Sequence, residues 1–448
     1  MNDHTVVFQE IESNDQLPTL SFKGHQLWSI LRNKYWHHLL AKVSESPSSA
    51  ARPLALMRNL FYGIGSLFGS YELLCFSHKN NRKLLNERYV DRFTDPICEL
   101  VSQERCCTIE LTNDTHYPRT ALASNHIMSH IGIKVLGLLL SRLVRVPHND
   151  TLDTLNTRYG IHFNYQKSVR EFYANYRLWL ILLRWWRPQR IVVVCYYTYL
   201  DVIAAAHELG IEVIEIQHGI IGHNHLAYHS KLSLDKRYLP DTLMTFGRFD
   251  ADLLSHSPLF QKVRLIPTGS WLLERALHQN ASQQRQQLLG AHYRSVVLVT
   301  SQITLDQELL AFIKEAAALS ADVHYLFLPR HYDAHYKKLC RTHKNITVSA
   351  EYDFYTLLPL VDVHATVYST CALEATHAAV TNILIDLNGL ATKHFQNLLR
   401  EPDDAFYVST PHEMLSCIQE TPARSSQHRD YFFAREYETN ITRYFQET

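Results

Sequence analysis

The run Arg190 to Tyr196 (RIVVVCY) constrains this chain most. A continuous β-branched stretch without polar alternation suits a strand covered on both faces, as in a parallel sheet. A helical stretch follows at Leu200 to Leu209 and ends at Gly210; Ile211 to Gln217 (IEVIEIQ), Asp241 to Phe246 (DTLMTF) and Val263 to Pro267 then read as further strands. Strands alternating with helices build βαβ units and a parallel sheet. Upstream, a helix is expected near Gln26 to Val43, a strand at Tyr71 to Phe76, and mostly helix over residues 120 to 187.

The rhythm restarts after a polar connector, Leu272 to Gly290, rich in Gln, Arg and Ala. Strands are expected at Ser295–Thr300, Val323–Leu328, Lys344–Val348, Val363–Val367 and Asn382–Asp386, with helices at Asp306–Leu319, Tyr355–Leu360 and Thr370–Ala379 and a helical tail from Pro411. The 448 residues are too many for one ordinary core. The expected organisation is an N-terminal α/β domain over 1–275, a second over 290–425, and a C-terminal helix over 426–448 that packs back on the first domain. Two such domains facing across a cleft would hold two ligands between them, at the carboxyl ends of their strands.

Composition removes several classes. Lys plus Arg and Asp plus Glu are both 44, so nothing points to nucleic acid as the partner. The eight Cys form no CxxC pair and several sit in apolar runs, which suits buried free thiols in a reducing cytosol. The start, MNDHTVVFQEIESND, has no signal-peptide character, and no apolar run reaches membrane-spanning length. The expected location is therefore cytoplasmic, at the inner face of the plasma membrane if the Arg177 to Arg190 segment (RLWLILLRWWRPQR) makes peripheral membrane contact. Its periodicity favours a buried helix instead. No GxxxxGK[ST] loop, GxSxG elbow, HExxH helix or DxD-type triplet is present.

Polar clusters at strand ends are the candidate chemistry. Glu215 to His225 (EIQHGIIGHNH) leaves a buried strand directly. His218 suits a general base near neutral pH or a phosphate contact, and Gly219 suits a tight turn with close ligand approach. His218, His223 and His225 lack the Cys or carboxylate that would complete a zinc site, so no metal is expected. Tyr196 to Asp201 (YYTYLD) offers tyrosines for sugar stacking and Asp201 as a base or nucleophile, or as the cap of its own helix. Tyr368 to Ala375 (YSTCALEA) opens a helix after a strand: Ser369 and Thr370 suit an anion or a plain cap, and Glu374 suits ribose hydroxyls or solvent. In Leu328 to Asp333 (LPRHYD), Arg330 suits a phosphate, with His331 as a second donor. Gly247-Arg248 and Gly269-Ser270 follow strands and are expected to shape the cleft; Asp91 and Asp95 are placed facing the acceptor.

Taken together, YYTYLDVIAAAHELGIEVIEIQHGIIGHNHLAYH, LPDTLMTFGRFDADLL, IPTGSWL, LPRHYD and YSTCALEATHAAVTNILIDLNG resemble capsule and O-antigen glycosyltransferases of the GT-B type, over about residues 190 to 390. Bacterial sialyltransferases, Kdo transferases and teichoic acid polymerases share this arrangement. The family's Lys/Arg-x-His-Pro loop is here Pro329-Arg330-His331-Tyr332, without the final Pro, which counts against a CMP-linked donor and leaves a UDP-, GDP- or pentose phosphate donor open. The resemblance implies transfer of a sugar to a glycan or lipid-linked glycan acceptor, with a nucleotide-sugar as substrate and no further cofactor. It implies catalytic roles for His218, Asp201 and Gln217. Arg330, His331, Ser369, Thr370, Glu374, Gly269 and Ser270 would bind the donor, and His223, His225 and Tyr197 the acceptor. A CDP-dependent polyol-phosphate transferase and an inactive scaffold are the alternatives.

Overall fold

The structure, a computed structural model, describes residues 3–41, 53–101, 103–222, 225–232, 234–278, 285, 293–330, 336, 343–420 and 429–447. It divides into two compact units. The first comprises Met1–Thr245, Asp250–Pro267 and Glu438–Thr448; the second comprises Phe246–Phe249 and Thr268–Tyr437.

The first unit is built on seven strands: β1 (Leu73–His78), β2 (Cys106–Leu111), β3 (Ile127–Ser129), β4 (Arg190–Val194), β5 (Glu212–Ile216), β6 (Thr242–Thr245) and β7 (Arg264–Pro267). All pair in parallel, in the order β3-β2-β1-β4-β5-β6-β7. The order reverses between β1 and β4, which makes the crevice outside their carboxyl ends the natural ligand position. The β-branched run supplies the centre: Ile191, Val192 and Val193 are fully buried, as strands sandwiched between helices require. The packing helices include α1 (Leu27–Ala41), α2 (His130–Ser141), α3 (Tyr165–Trp186) and α4 (Leu200–Glu208). Trp179, Leu180 and Leu183 of α3 enter the same core as Phe76 of β1 and Val202 of α4. The C-terminal helix Tyr437–Glu447 reaches the sheet edge, where the Tyr444 hydroxyl lies 2.7 Å from Glu212 and 2.8 Å from Arg264.

The second unit repeats the plan with six parallel strands: β8 (Ser295–Thr300), β9 (Val323–Leu328), β10 (Ile346–Val348), β11 (Val363–Thr366), β12 (Thr381–Ile385) and β13 (Ala405–Val408). Their order is β10-β9-β8-β11-β12-β13, reversing between β8 and β11. Helices α5 (Asp306–Leu319) and α6 (Cys371–His377) cover the faces. The expected pair of parallel α/β sheets is borne out, and most strand limits differ from the sequence reading by one or two residues.

Three strands of the two parallel sheets were not legible: β2, β3 and β13. Ile127–Ser129 falls inside the stretch expected to be helical; it is too short to show a period of its own. The connector Leu272–Gly290 begins as a helix at Trp271–Leu277, and most of the rest lies outside the described residues. Residues 268–275 and 429–437 belong with the second unit, not the first. Two glycines explain this. A Cβ on Gly247 would stand 2.4 Å from the Phe432 backbone, and one on Gly269, at φ +95°, would stand 2.4 Å from the Ala434 carbonyl oxygen. Both positions must lack a side chain for the 431–434 segment to lie against them. Among the described residues no helix is long and apolar enough to cross a membrane.

Candidate functional site

In the first unit, β4 is followed by Cys195, a non-glycine residue at φ +67°. Left-handed backbone costs such a residue about 1 kcal/mol, and strain of this kind concentrates at functional positions. The turn aims the Tyr196 N–H at Glu215 on β5, donating to Oε1 at 3.1 Å. The Tyr228 hydroxyl donates to the same oxygen at 2.7 Å. Glu215 is wholly buried and its Oε2 has no partner among the described residues. Burial outweighs these two hydrogen bonds and pushes the carboxyl up to about 8. Burial thus favours the protonated acid at neutral pH.

His218 stands two residues beyond β5. Its Nε2 lies 3.3 Å from Cys195 Sγ, and its Nδ1 is buried without a partner among the described residues. Burial, then the neighbouring His225 and Arg92, lower its pKa to about 4. The ring is neutral across the physiological range, with one nitrogen uncommitted. Burial also holds the Cys195 thiol protonated, raising it to about 12. Tyr197 bonds Cys195, and its ring lies 6.1 Å from that of His225, whose Nδ1 is likewise unpartnered among the described residues. Arg92 follows the Arg82–Leu85/Arg88–Asp91 hairpin; its guanidinium lies over Phe93, and its Nε lacks a partner among the described residues. His218, His225, Tyr197, Cys195 and Arg92 thus form one cluster.

Other sequence candidates leave it. Gln217 is wholly buried; its Nε2 donates to the Gly219 carbonyl at 2.9 Å, and its side chain also bonds Asp250. It positions the loop and is not presented to a ligand. Asp201 accepts the Val202 N–H at 3.0 Å, and the cations acting on it are Lys134 and Lys34, not the groups around His218. It caps α4. Gly219 is not left-handed, and the space beyond its Cα is open, so the turn does not require glycine. Asp91 and Asp95 face inward: Asp91 accepts the Phe93 and Thr94 N–H groups, and Asp95 pairs with Arg82 at 3.3 Å. His223 lies outside the described residues. Among those described, no group of His, Cys, Asp and Glu could hold a metal ion.

In the second unit Thr300 to Gln302 and Tyr368 to Thr370 stand at the carboxyl ends of β8 and β11, where the strand order reverses. A buried chain fixes it: Thr300 Oγ1 bonds His364 Nε2 at 2.9 Å, His364 Nδ1 bonds Asn382 Oδ1 at 2.8 Å, and Asn382 Nδ2 donates to the Ala372 carbonyl of α6 at 2.8 Å. Burial lowers the His364 pKa to about 4, so the ring is neutral and serves one donor and one acceptor. Ser301 Oγ accepts the Arg330 N–H at 3.1 Å, which ties the loop after β9 to β8. The Arg330 side chain is exposed and makes no ion pair among the described residues. Ser369 Oγ accepts the Cys371 N–H at 3.3 Å, so Ser369 caps α6, while Thr370 is already helical and caps nothing. Glu374 is half-buried and accepts the Tyr355 hydroxyl at 2.5 Å. Arg330 and Glu374 both act on the Cys371 thiol, which places them in one neighbourhood. His331 lies outside the described residues. Gly269 is spent on packing against Ala434, and Ser270 precedes the helix Trp271–Leu277 without capping it.

No family model and no curated protein matches the chain. The fold does match solved structures. A UDP-GlcNAc 2-epimerase from Methanocaldococcus jannaschii aligns over 84% of this chain and 99% of its own, with TM-score 0.52 at 11% identity. The UDP-GlcNAc 2-epimerase from Neisseria meningitidis, solved bound to UDP-GlcNAc, aligns over the same shares with TM-score 0.51 at 12% identity. The calicheamicin glycosyltransferase CalG4 aligns less closely, over 83% and 94%, with TM-score 0.45 at 12% identity. The chain therefore has the doubly wound two-domain fold used by nucleotide-sugar enzymes; identity this low carries the fold alone.

Proposed function

We propose that the protein is a glycosyltransferase that moves a sugar from a nucleotide-activated donor to a growing bacterial surface polysaccharide of the capsule or O-antigen kind. The observation that carries this reading is the His218 imidazole: neutral, largely enclosed, with an uncommitted nitrogen at the carboxyl end of a parallel sheet. Such a ring can take a proton from an acceptor hydroxyl as the oxygen attacks the anomeric carbon. His225 and Tyr197 flank it and are assigned to the acceptor. Glu215 holds the Tyr196 and Tyr228 segments beside this cluster.

The second unit is assigned the donor. Arg330 and His331 would neutralise the departing phosphate, the charge that most needs stabilising as the glycosidic bond breaks. The Ser369 hydroxyl can still donate to a phosphate while accepting from Cys371, and exposed Thr370 stands beside it. Glu374, oriented by Tyr355, suits ribose hydroxyls. In balance, the donor's anomeric C–O bond breaks with its electron pair leaving on phosphate, the acceptor C–O bond forms, and the hydroxyl proton passes to His218. A uridine nucleotide is the first donor to test, because the N. meningitidis neighbour was solved with UDP-GlcNAc.

A sugar-nucleotide epimerase is the second reading, favoured by the fold neighbours themselves. One experiment separates them: UDP-, GDP- and CMP-sugars are incubated with the protein, with and without lipid-linked glycan, and products are resolved by mass and chromatography. Transfer predicts nucleotide release only with acceptor, falling about 100-fold or more in His218→Ala. Isomerised donor without acceptor replaces the reading with epimerisation. Turnover only with CDP-polyols points to the polyol-phosphate class, and no turnover of any donor to a scaffold.

A further inference from the structure

Helices α2 and α3 of the first unit pack side by side, and Gly137 is what permits it. A Cβ there would stand 1.7 Å from Asn175 Oδ1 of α3. Ile133, Gly137 and Ser141 of α2 face inward, with Trp179, Leu183 and Trp186 of α3. The outward side of the pair should then be polar, and it is not. Leu136, Leu139, Leu140 and Leu143 recur at three- and four-residue spacing on the solvent side of α2 and the turn after it, with Leu143 80% exposed. On α3, Ile181 and Trp185 are 63% and 68% exposed. The pair is antiparallel, with His130 against Trp179 and Gly137 against Asn175, so the leucines stand toward one end of it and Ile181 and Trp185 toward the other; exposed large apolar side chains along a helix pair mark a contact surface.

The rim is basic. No Asp or Glu occurs between His130 and Asn149, or between Phe172 and Arg190. Arg142, Arg145, Lys167 and Arg170 line a cavity of about 640 Å³ beside Leu138, Val144 and Val146. Among the described residues Arg142, Arg145 and Arg170 make no ion pair, while Lys167 lies 3.7 Å from Glu171.

Charge decides the occupant. A second copy meeting this face across a two-fold axis would set arginine rim against arginine rim. A free anion would leave the leucines wet. An anionic phospholipid surface satisfies both parts at once, taking the leucines and Trp185 at the headgroup–acyl boundary and the arginines at its phosphates.

We infer that the outer face of α2 and α3 docks on an anionic lipid membrane. This stands independently of the donor chemistry. The test is co-sedimentation of the full chain with phosphatidylcholine vesicles, and with the same vesicles containing phosphatidylglycerol, over a salt series. The protein should pellet with the phosphatidylglycerol vesicles, less so as salt rises, and stay in solution with phosphatidylcholine alone. Each arginine at such a surface contributes roughly a fivefold factor, so Arg142→Gln with Arg145→Gln should lower partition about 25-fold. Leu143→Ser with Trp185→Ser should also lose binding, through a different term. These side chains are exposed, and unchanged melting temperatures check that the variants fold. A wild-type chain that stays in solution with phosphatidylglycerol vesicles overturns the inference. So does either folded double variant binding like wild type, or a dimer in sedimentation velocity that these substitutions abolish.

Discussion

Replacing Glu215 by Gln should stabilise the protein at alkaline pH and change little at acid pH. The carboxyl is wholly buried, and burial raises it from an ordinary 4.5 to about 8. Between those values the folded chain keeps a proton that the unfolded chain has released. Folding stability is therefore full below about pH 4.5 and falls as pH rises toward 8, by about 1.4 kcal/mol per unit. From pH 6 to pH 8 this one group removes about 2 kcal/mol, because the folded carboxyl itself begins to ionise near pH 8. Glutamine is the isostere of the protonated acid. Its carbonyl oxygen can still accept from the Tyr196 N–H and the Tyr228 hydroxyl, and its NH₂ replaces the unpartnered Oε2. The melting temperature of Glu215→Gln relative to wild type should climb by about 4 °C or more between pH 6 and pH 8, at about 2 °C per kcal/mol. Parallel curves across that range would mean that Glu215 is ionised, and the reasoning about its enclosure would be wrong.

Other outcomes follow from the same geometry. Because burial and the nearby His225 and Arg92 hold the His218 pKa near 4, the acid limb of kcat/KM should lie below about pH 5, without a step near 6.5. An Arg92→Gln enzyme should shift that limb upward. Glu374→Ala should raise the donor KM with little change in kcat, and Tyr355→Phe, which frees the same carboxylate, should do so more weakly. Arg82→Met strands Glu110 and Asp95 in the core; loss of about 3–5 kcal/mol should appear in urea unfolding.

The fold was legible where the chain repeats itself. RIVVVCY, SVVLVT and VHYLFL announce strands buried on both faces because their β-branched and aromatic residues leave no polar side. CCTIEL was not legible, because Thr108 and Glu110 interrupt it; both are buried, Glu110 in the Arg82 and His116 network. His218 was legible as a strand-end imidazole. Its partners were not: Arg92 and Cys195 come from separate loops far off in sequence. A signal for Glu215 existed, a carboxylate inside the apolar run IEVIEI, where only a protonated or paired acid can sit. Gln217 and Asp201 misled because a polar residue at a strand or helix end serves the backbone as readily as a ligand.

The central claim is that the crevice of the second unit binds a nucleotide through Arg330, Ser369 and Glu374. Isothermal titration of the full chain with uridine diphosphate tests it most directly, repeated with guanosine and cytidine nucleotides. One of them should bind to a single site, and Arg330→Ala should weaken it about tenfold or more, the worth of a charge-assisted hydrogen bond. No heat with any nucleotide, or binding that Arg330→Ala leaves unchanged, would contradict the account.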